Sequence, residues 1–351
     1  MTTRSSAQTN HLLLRAARGE RTERTPIWLM RQAGRTDPEY IKVKDESRLP
    51  LHDLFRHPEW AARISLLPQR FGVDAIIYFQ DILTPLAPMG AEFVFAPGPM
   101  LVQGIHDSAD IERLHTYDVA DELPFIPETF RLVREALNDA LPVLGFAGAP
   151  FTLLVFIIEE GSFGSRADKT KVFLRDYPDI ARRLLDKLAA MTIDYLRLQV
   201  DAGADALQLF ESAANLLTPA HYETWALPYQ RQVFDALKGT VPTIVFARDW
   251  PDASHLHQSG ADVLSLSDRV RIADVRATFG AGQVVQGNLD NRLLVNGSKE
   301  AIADTARAIV AEGGHHGHIF NLSHGLLRES PFENVMHLID VVKSIRSDAT
   351  V

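Results

Sequence analysis

The sequence contains no cysteine among its 351 residues. Disulfides, thiolate metal sites, iron–sulfur clusters and cysteine nucleophiles are therefore excluded. It also lacks an excess of positive charge, since 36 lysines and arginines stand against 45 aspartates and glutamates and give a formal net charge of -9. This balance argues against a nucleic-acid-binding protein and against a basic membrane-surface protein. An anionic ligand would have to be held by a local group of arginines.

Long apolar runs are also scarce, and only residues 141–158 lack charge over a length close to that of a membrane span. Pro142 and Pro150, with two glycines between them, divide this stretch. We expect a short buried strand, a turn and the start of a helix there, and no contact with a membrane.

The first ten residues lack the apolar core of a secretory signal, so we expect a cytoplasmic protein. The arginines of this region are compatible with a transit peptide. A first helix explains the region better, with Asn10 as its cap, Leu12–Leu14 on its apolar face and Gly19 at its end. We expect residues 1–10 to form a flexible segment and residues 11–351 to form one catalytic domain.

The fold prediction depends on short apolar runs that are separated by helical patterns, an arrangement typical of parallel β/α repetition. Eight runs predict eight strands and hence an α/β fold consisting of a single (β/α)8 TIM barrel. A composition of 46% hydrophobic and 23% charged residues is ordinary for a globular enzyme. The predicted strands are Ile27–Met30, Ala75–Phe79, Val143–Phe146, Ala206–Phe210, Thr243–Ala247, Val263–Leu266, Val284–Gln286 and Ile319–Leu322.

Polar residues follow most of these strands, at the end of a barrel where catalytic groups are found. Arg31 and Arg35 follow the first strand, and each guanidinium has a planar fork that matches a carboxylate. Gly34 allows the loop to bend so that both forks face one cavity. Two arginines four residues apart could also decorate a helix face. Their position directly after an apolar strand favours an anion site.

The segment PIWLMRQAGR, residues 26–35, closely resembles the signature of the uroporphyrinogen decarboxylase family. Further motifs are similar to that family in order and spacing. They are DAIIYFQDI (74–82), GFAGAPFTL (145–153), LQLFES (207–212), PY (228–229), GNLD (287–290) and GHIFNLSHG (317–325). The resemblance extends from about Leu12 to Val342.

This resemblance implies a carboxy-lyase that converts uroporphyrinogen III to coproporphyrinogen III in tetrapyrrole and heme biosynthesis. Four acetate groups lose carbon dioxide, and no cofactor or metal takes part. The substrate is a polycarboxylate small molecule, neither a nucleic acid nor a membrane. Because family members are commonly homodimers, we expect a homodimer.

The resemblance also implies the site residues. Asp81 accepts the pyrrole N–H groups at the substrate's centre and is expected to be catalytic, although its position also suits a helix N-cap. Arg31 is expected to bind carboxylates and to take part in proton transfer. The other expected substrate-binding residues are Gln32, Ala33, Gly34, Arg35, Phe156, Ser212 and His324, of which His324 could titrate near neutral pH.

Three positions depart from the family pattern near the expected site. Phe156 stands where the family has a substrate-binding tyrosine, Thr36 where it has tyrosine, and Ser323 where it has glycine. These changes leave a second reading open, a catalytically weakened or inactive tetrapyrrole-binding homologue. Related corrinoid and methylthiol methyltransferases share the barrel, but they bind zinc through cysteine thiolate, which this chain lacks.

Overall fold

The computed structural model of the chain describes residues 10–95, 98–105, 108–164 and 166–346. Among these residues seven parallel strands form one curled sheet in the order of the chain, and two further strands form a separate antiparallel pair. The strands are β1 (Ile76–Ile77), β2 (Phe93–Phe95), β3 (Pro99–Leu101), β4 (Val143–Gly148), β5 (Ala206–Glu211), β6 (Thr243–Ala247), β7 (Val263–Ser265), β8 (Val284–Gln286) and β9 (His318–Ile319). The antiparallel pair is β2 with β3.

Helices connect the strands and cover the outside of the sheet. They are α1 (Leu12–Ala17), α2 (Pro38–Ser47), α3 (Leu51–Phe55), α4 (Pro58–Leu66), α5 (Ser108–Arg113), α6 (Val119–Glu122), α7 (Phe125–Leu137), α8 (Pro150–Ile158), α9 (Asp168–Asp176), α10 (Pro178–Asp201), α11 (Pro219–Trp225), α12 (Leu227–Leu237), α13 (Ala253–Gln258), α14 (Ile272–Phe279), α15 (Leu293–Asn296), α16 (Lys299–Gly313) and α17 (Phe332–Ser344). Short 3-10 helices span Leu67–Phe71, Thr84–Leu86 and Ala214–Leu216. Together these elements form the expected TIM barrel.

The first predicted strand is not a regular strand, but it closes the barrel. The N–H of Phe320 donates to the carbonyl of Pro26 at 2.8 Å, and the N–H of Asp74 donates to the carbonyl of Ile27 at 2.7 Å. Residues 26–27 therefore join the last strand to the first across the gap. The prediction of a full strand over Ile27–Met30 was wrong because the backbone turns at its end, where the N–H of Gln32 donates to the carbonyl of Leu29.

The other seven predicted strands are present, with shorter regular cores at the two ends of the sheet. The second is reduced to β1 and the eighth to β9, and an isolated bridge joins Leu289 to Leu322 beyond β9. The middle five agree to within two residues at their ends.

An aspartate fixes the closing segment to the sheet. The Asp74 carboxylate accepts from the backbone N–H of Ile27 at 2.8 Å and pairs with both terminal nitrogens of Arg24 at 2.6 and 2.5 Å. The side chains of this ion pair are only 12% and 10% exposed. A charged group so well enclosed needs these partners, and they hold the entry to the arginine loop in place.

The first helix closes the bottom of the barrel. Leu13 and Leu14 of α1 are buried in one apolar cluster with residues of the barrel strands such as Ile244 and Val263. The helix follows His11 at its N-cap position, one residue later than the predicted cap Asn10. Of the segment 1–10 that we expected to be flexible, residues 1–9 lie outside the described residues.

A buried polar network crosses the barrel interior. Trp28 donates its indole N–H to Gln286 at 2.9 Å, and the Gln286 amide donates to Gln208 and Ser265, both at 3.0 Å. Gln208 in turn contacts the sulfur of Met30 at 3.3 Å. These buried polar side chains stabilise the interior because they bond to one another.

The uncharged stretch at residues 141–158 divides as predicted, into β4 and α8. None of the described helices combines the length and the apolar character needed to cross a membrane.

Candidate active site

The arginine loop has a constrained backbone. Arg31 adopts a left-handed conformation with φ of 63°, which is uncommon for a residue with a side chain. A Cβ at Gly34 would lie 2.9 Å from the Arg31 carbonyl oxygen, and a Cβ at Gly325 would lie 2.5 Å from Arg31 Cδ. Glycine is therefore required at both positions. Gly34 permits the turn of the backbone, and Gly325 leaves space for the Arg31 side chain.

The side chain of Arg31 lies near two other basic residues, Arg248 and His324. Desolvation by the surrounding protein and the positive charge of Arg248 both lower the pKa of Arg31. Among the described residues no carboxylate pairs with its guanidinium, and the side chain is exposed. Its donors are therefore available to an anionic ligand.

His324 lies beside these arginines at the exit of β9. Burial, followed by the charges of Arg31 and Arg248, lowers the pKa of His324 to about 4. Its ring is therefore neutral at neutral pH, which corrects the expectation that it titrates there. Its Nδ1 accepts from the backbone N–H of Gly325 at 2.6 Å. In the neutral ring Nε2 then carries the proton and can donate to a ligand oxygen.

Arg35 takes a different direction from Arg31. It is exposed, and its charge acts on Tyr40, whose ring lies 5.8 Å from that of Phe79. Phe79 directly precedes the Gln80–Asp81 pair along the chain. Arg31, in contrast, acts on His324 and is itself influenced by Arg248.

The residues between the arginines serve the fold. Gln32 is fully buried, and its amide accepts from the N–H of Leu29 and donates to the carbonyl of Ala75, both at 3.0 Å. Its side chain joins the closing segment to the sheet and has no free group for substrate. Ala33 packs against the apolar cluster around Tyr40, and Gly34 permits the turn.

Asp81 caps the 3-10 helix that follows it. One carboxylate oxygen accepts from the backbone N–H groups of Leu83 and Thr84, and the other accepts from the Thr84 hydroxyl at 2.6 Å. Burial raises the pKa of Asp81, while these hydrogen bonds and the charge of Arg56 oppose the shift. An ionised carboxylate has about four acceptor positions, so one remains for a ligand on a side chain held in one orientation.

Asp81 lines a narrow cleft. The other walls include a residue of α3, the residue that follows α3 and residues of β2. Neither Arg31 nor Arg35 is among the lining residues. The lining residues are His52, Arg56, Asp81, Leu83, Thr84, Ala87, Phe93 and Phe95. Phe156 reaches this wall through Phe93, since the two rings meet edge to face at 6.4 Å. The ring of Phe156 also contacts Phe163 at 4.9 Å.

Ser212 is half-buried at the exit of β5, and the residue before it is a buried acid. The Glu211 carboxylate accepts from the Thr152 hydroxyl and from the Gln230 amide. Burial raises the pKa of Glu211 to about 7. Glu211 therefore changes charge near neutral pH beside the expected substrate-binding serine.

The sequence did not identify three residues of this region as candidates for the site, namely Glu211, Arg56 and Arg248. Glu211 was seen only as a neighbour of Ser212, and its burial could not be read from the sequence. Arg56 is distant along the chain from the Asp81 motif that it faces. Arg248 could have been identified from the sequence. It directly follows the predicted strand Thr243–Ala247, and residues in that position are candidates for the site.

Comparison with known proteins identifies the chain's relatives. The family model described as uroporphyrinogen decarboxylase (URO-D) matches residues 8–345. A uroporphyrinogen decarboxylase from Chloroherpeton thalassium is 41% identical over 95% of this chain and 97% of its own length. One from Geobacter metallireducens is 36% identical over 95% of this chain and 98% of its own length.

Solved structures agree on the fold. A methyltransferase from Methanosarcina mazei has a TM-score of 0.80 over 97% of this chain and 99% of its own length, at 18% identity. A B12-independent methionine synthase from Shewanella sp. W3-18-1 has a TM-score of 0.54 over 92% of this chain and 97% of its own length, at 15% identity. At such identities the likeness concerns the fold alone.

The buried acid at the exit of β5 predicts a specific pH dependence of stability. Because the folded pKa of Glu211 lies above its unfolded value, the folded state binds the extra proton, and stability falls as pH rises from about 4.5 to 7. Relative to Glu211→Gln, which removes the ionisation, the wild type should lose up to about 3 kcal/mol between pH 5 and pH 8. Urea unfolding of both proteins at the two pH values measures this. If the difference in free energy of unfolding between the two proteins is the same at both pH values, Glu211 does not titrate in this range.

Proposed function

The chain belongs to the uroporphyrinogen decarboxylase family, and we propose that it converts uroporphyrinogen III to coproporphyrinogen III as part of heme biosynthesis. The observation that carries the proposal is the pair of unlike groups at the barrel mouth. Arg31 and Arg248 supply neighbouring positive charges, after the closing segment and after β6, and Asp81 supplies an oriented carboxylate after β1. A ring with carboxylates on its periphery and N–H groups at its centre complements both.

The reaction needs a proton donor and a stabilising anion. An acetate on an electron-rich pyrrole loses carbon dioxide once the ring carbon is protonated, because the electron pair of the breaking bond then flows into a cationic ring. The donor supplies that proton, and the anion stabilises the positive charge that develops. After carbon dioxide leaves, the methylene carbon takes up a proton and the ring carbon returns its proton to the donor, which gives the methyl group and consumes one proton per carbon dioxide released. None of these steps requires a cofactor.

Asp81 is the anion in this proposal. Its capping hydrogen bonds hold the carboxylate in one orientation before substrate arrives, which reduces the reorganisation needed during the reaction. Its remaining acceptor position would take the pyrrole N–H groups. The same contacts would place the developing positive charge near a negative one.

Arg31 would bind a substrate carboxylate and deliver the proton. A guanidinium in water is too weak an acid for that task. Desolvation and Arg248 both lower the pKa of Arg31 and so make it a stronger acid than a free arginine.

The remaining contacts would set the position of the ring. His324 donates from Nε2 to a carboxylate, Ser212 donates its hydroxyl, Arg35 binds a carboxylate at the outer rim, and Phe156 packs on the ring face. The Gln32 side chain has no part in binding, because both of its amide groups are used by the fold.

Anaerobic incubation of the purified protein with uroporphyrinogen III tests the function directly. After oxidation, mass analysis should find products with seven, six, five and finally four carboxylates. Binding of the octacarboxylate with no loss of carbon dioxide at any pH from about 6 to 8 would support the non-catalytic reading instead.

Replacement of the carboxylate isolates the role of Asp81. Asp81→Asn should lower kcat by at least about 100-fold while the fold is retained, because asparagine caps helices well but carries no charge. Asp118→Asn is a matched control, since Asp118 caps α6 in the same way at an exposed position. Near-normal turnover of the Asp81 variant would remove this residue from the mechanism.

The missing hydroxyl at residue 156 is tested by restoring it. Phe156→Tyr should leave kcat/KM level or raise it by up to about 100-fold, the value of one neutral hydrogen bond left unmade. Phe173→Tyr on α9, where the Phe173 ring packs 6.1 Å from Tyr177, should change nothing. A clear loss of activity at position 156 would mean that the pocket is built around phenylalanine.

We further propose a homodimer in the cytoplasm. A chain without cysteine needs no oxidising compartment for folding, and dimerisation follows the family expectation. Sedimentation equilibrium should give twice the chain mass of 39.1 kDa. A single 39.1 kDa species at assay concentration would exclude the dimer, and cell fractionation that recovers the protein from another compartment would exclude the location.

A further inference from the structure

Arg248 lies at the exit of β6 and is tied to its neighbours. Its backbone N–H donates to the carbonyl of Glu211 at 3.0 Å, which links the exits of β5 and β6. Two residues earlier, the ring of Phe246 meets the ring of His324 edge to face at 5.9 Å. The exit of β6 therefore faces the loop that carries His324.

The guanidinium of Arg248 is poorly satisfied by the protein. Within the described part of the chain its Nε is buried without a hydrogen-bond partner, although the side chain as a whole is 41% exposed. It forms an ion pair with Asp249, but the carboxylate oxygen lies 3.6 Å from Nε, beyond hydrogen-bonding distance. The charge of Asp249 also acts on Arg292, so it does not serve Arg248 alone.

Two guanidinium groups thus act on one histidine. The charges of Arg31 and Arg248 both contribute to the low pKa of His324, and the charge of Arg248 also acts on Arg31. Like charges are held this close only at a cost in free energy. A ligand carboxylate between them would offset that cost and would satisfy the free donors of both forks.

We propose that Arg248 is a further substrate-binding residue, which with Arg31 and the Nε2 donor of His324 forms a three-sided site for one carboxylate of the porphyrinogen. This inference rests on the proposed function. A carboxylate that is held in the ground state and in the transition state alike contributes to KM, so Arg248 acts mainly on KM.

Kinetics of Arg248 variants test the proposal. Arg248→Gln should raise KM for uroporphyrinogen III by about 10- to 100-fold, with a smaller fall in kcat because the charge of Arg248 also lowers the pKa of Arg31. Arg248→Lys should recover part of the loss, because it retains the charge but not the planar fork. Arg307→Gln is the matched control, an exposed arginine on α16 that pairs with Asp304 at 3.1 Å, and it should leave KM unchanged.

A spectroscopic readout separates binding from a structural role. In the ligand-free protein, nuclear magnetic resonance titration of His324 should show its pKa rising in Arg248→Gln, because one of the charges that lower it is gone. An unchanged KM, or a fall in kcat with KM unchanged, would overturn the proposal, as would a His324 titration that does not move.

Calorimetric binding distinguishes failure of this inference from failure of the proposed function. Anaerobic titration with coproporphyrinogen III, the product, which has no acetate group left to lose, measures affinity without turnover. If the wild type binds but does not decarboxylate, the proposed function fails, while weaker binding by Arg248→Gln still supports the site. Equal affinity of the wild type and Arg248→Gln overturns the site, whatever the turnover.

Discussion

The site depends on a guanidinium group in the barrel mouth that pairs with no carboxylate among the residues that the structure describes. Arg31 is placed there by a left-handed backbone and by glycines at positions 34 and 325, whose missing side chains provide its space. The protein as a whole carries a net charge of -9, so the positive charge at this site is local and does not reflect the overall composition. Unfavourable self-energy of this kind is typical of a site whose partner is the ligand.

The barrel supplies the rigidity that such an arrangement needs. Residues 26–27 close the sheet between β9 and β1, and Asp74 with Arg24 fixes that closure. The polar network beneath them is satisfied within the protein, so it does not compete for ligand. Asp81 combines two roles, because the hydrogen bonds that make it a helix cap also orient its carboxylate. Its two sequence readings, cap and functional anion, are compatible.

Much of the architecture could be predicted from apolar periodicity alone, because buried parallel strands must be apolar on both faces. The closing segment could not be predicted in detail, since its short pairing depends on contacts with residues far along the chain, at Asp74 and Phe320. The positions after strands indicated Arg31, Asp81 and His324. The neutral state of His324 and the structural use of Gln32 depend on burial and on neighbours from other strands, and no local pattern contains them.

The central claim is that the cations around Arg31 and the carboxylate of Asp81 bind opposite parts of one molecule. A crystal structure with coproporphyrinogen III bound under anaerobic conditions tests it most directly. The account predicts ring N–H groups within hydrogen-bonding distance of the Asp81 carboxylate and a side-chain carboxylate at the Arg31 guanidinium. A ligand that contacts one of these residues and leaves the other in bulk water would contradict it.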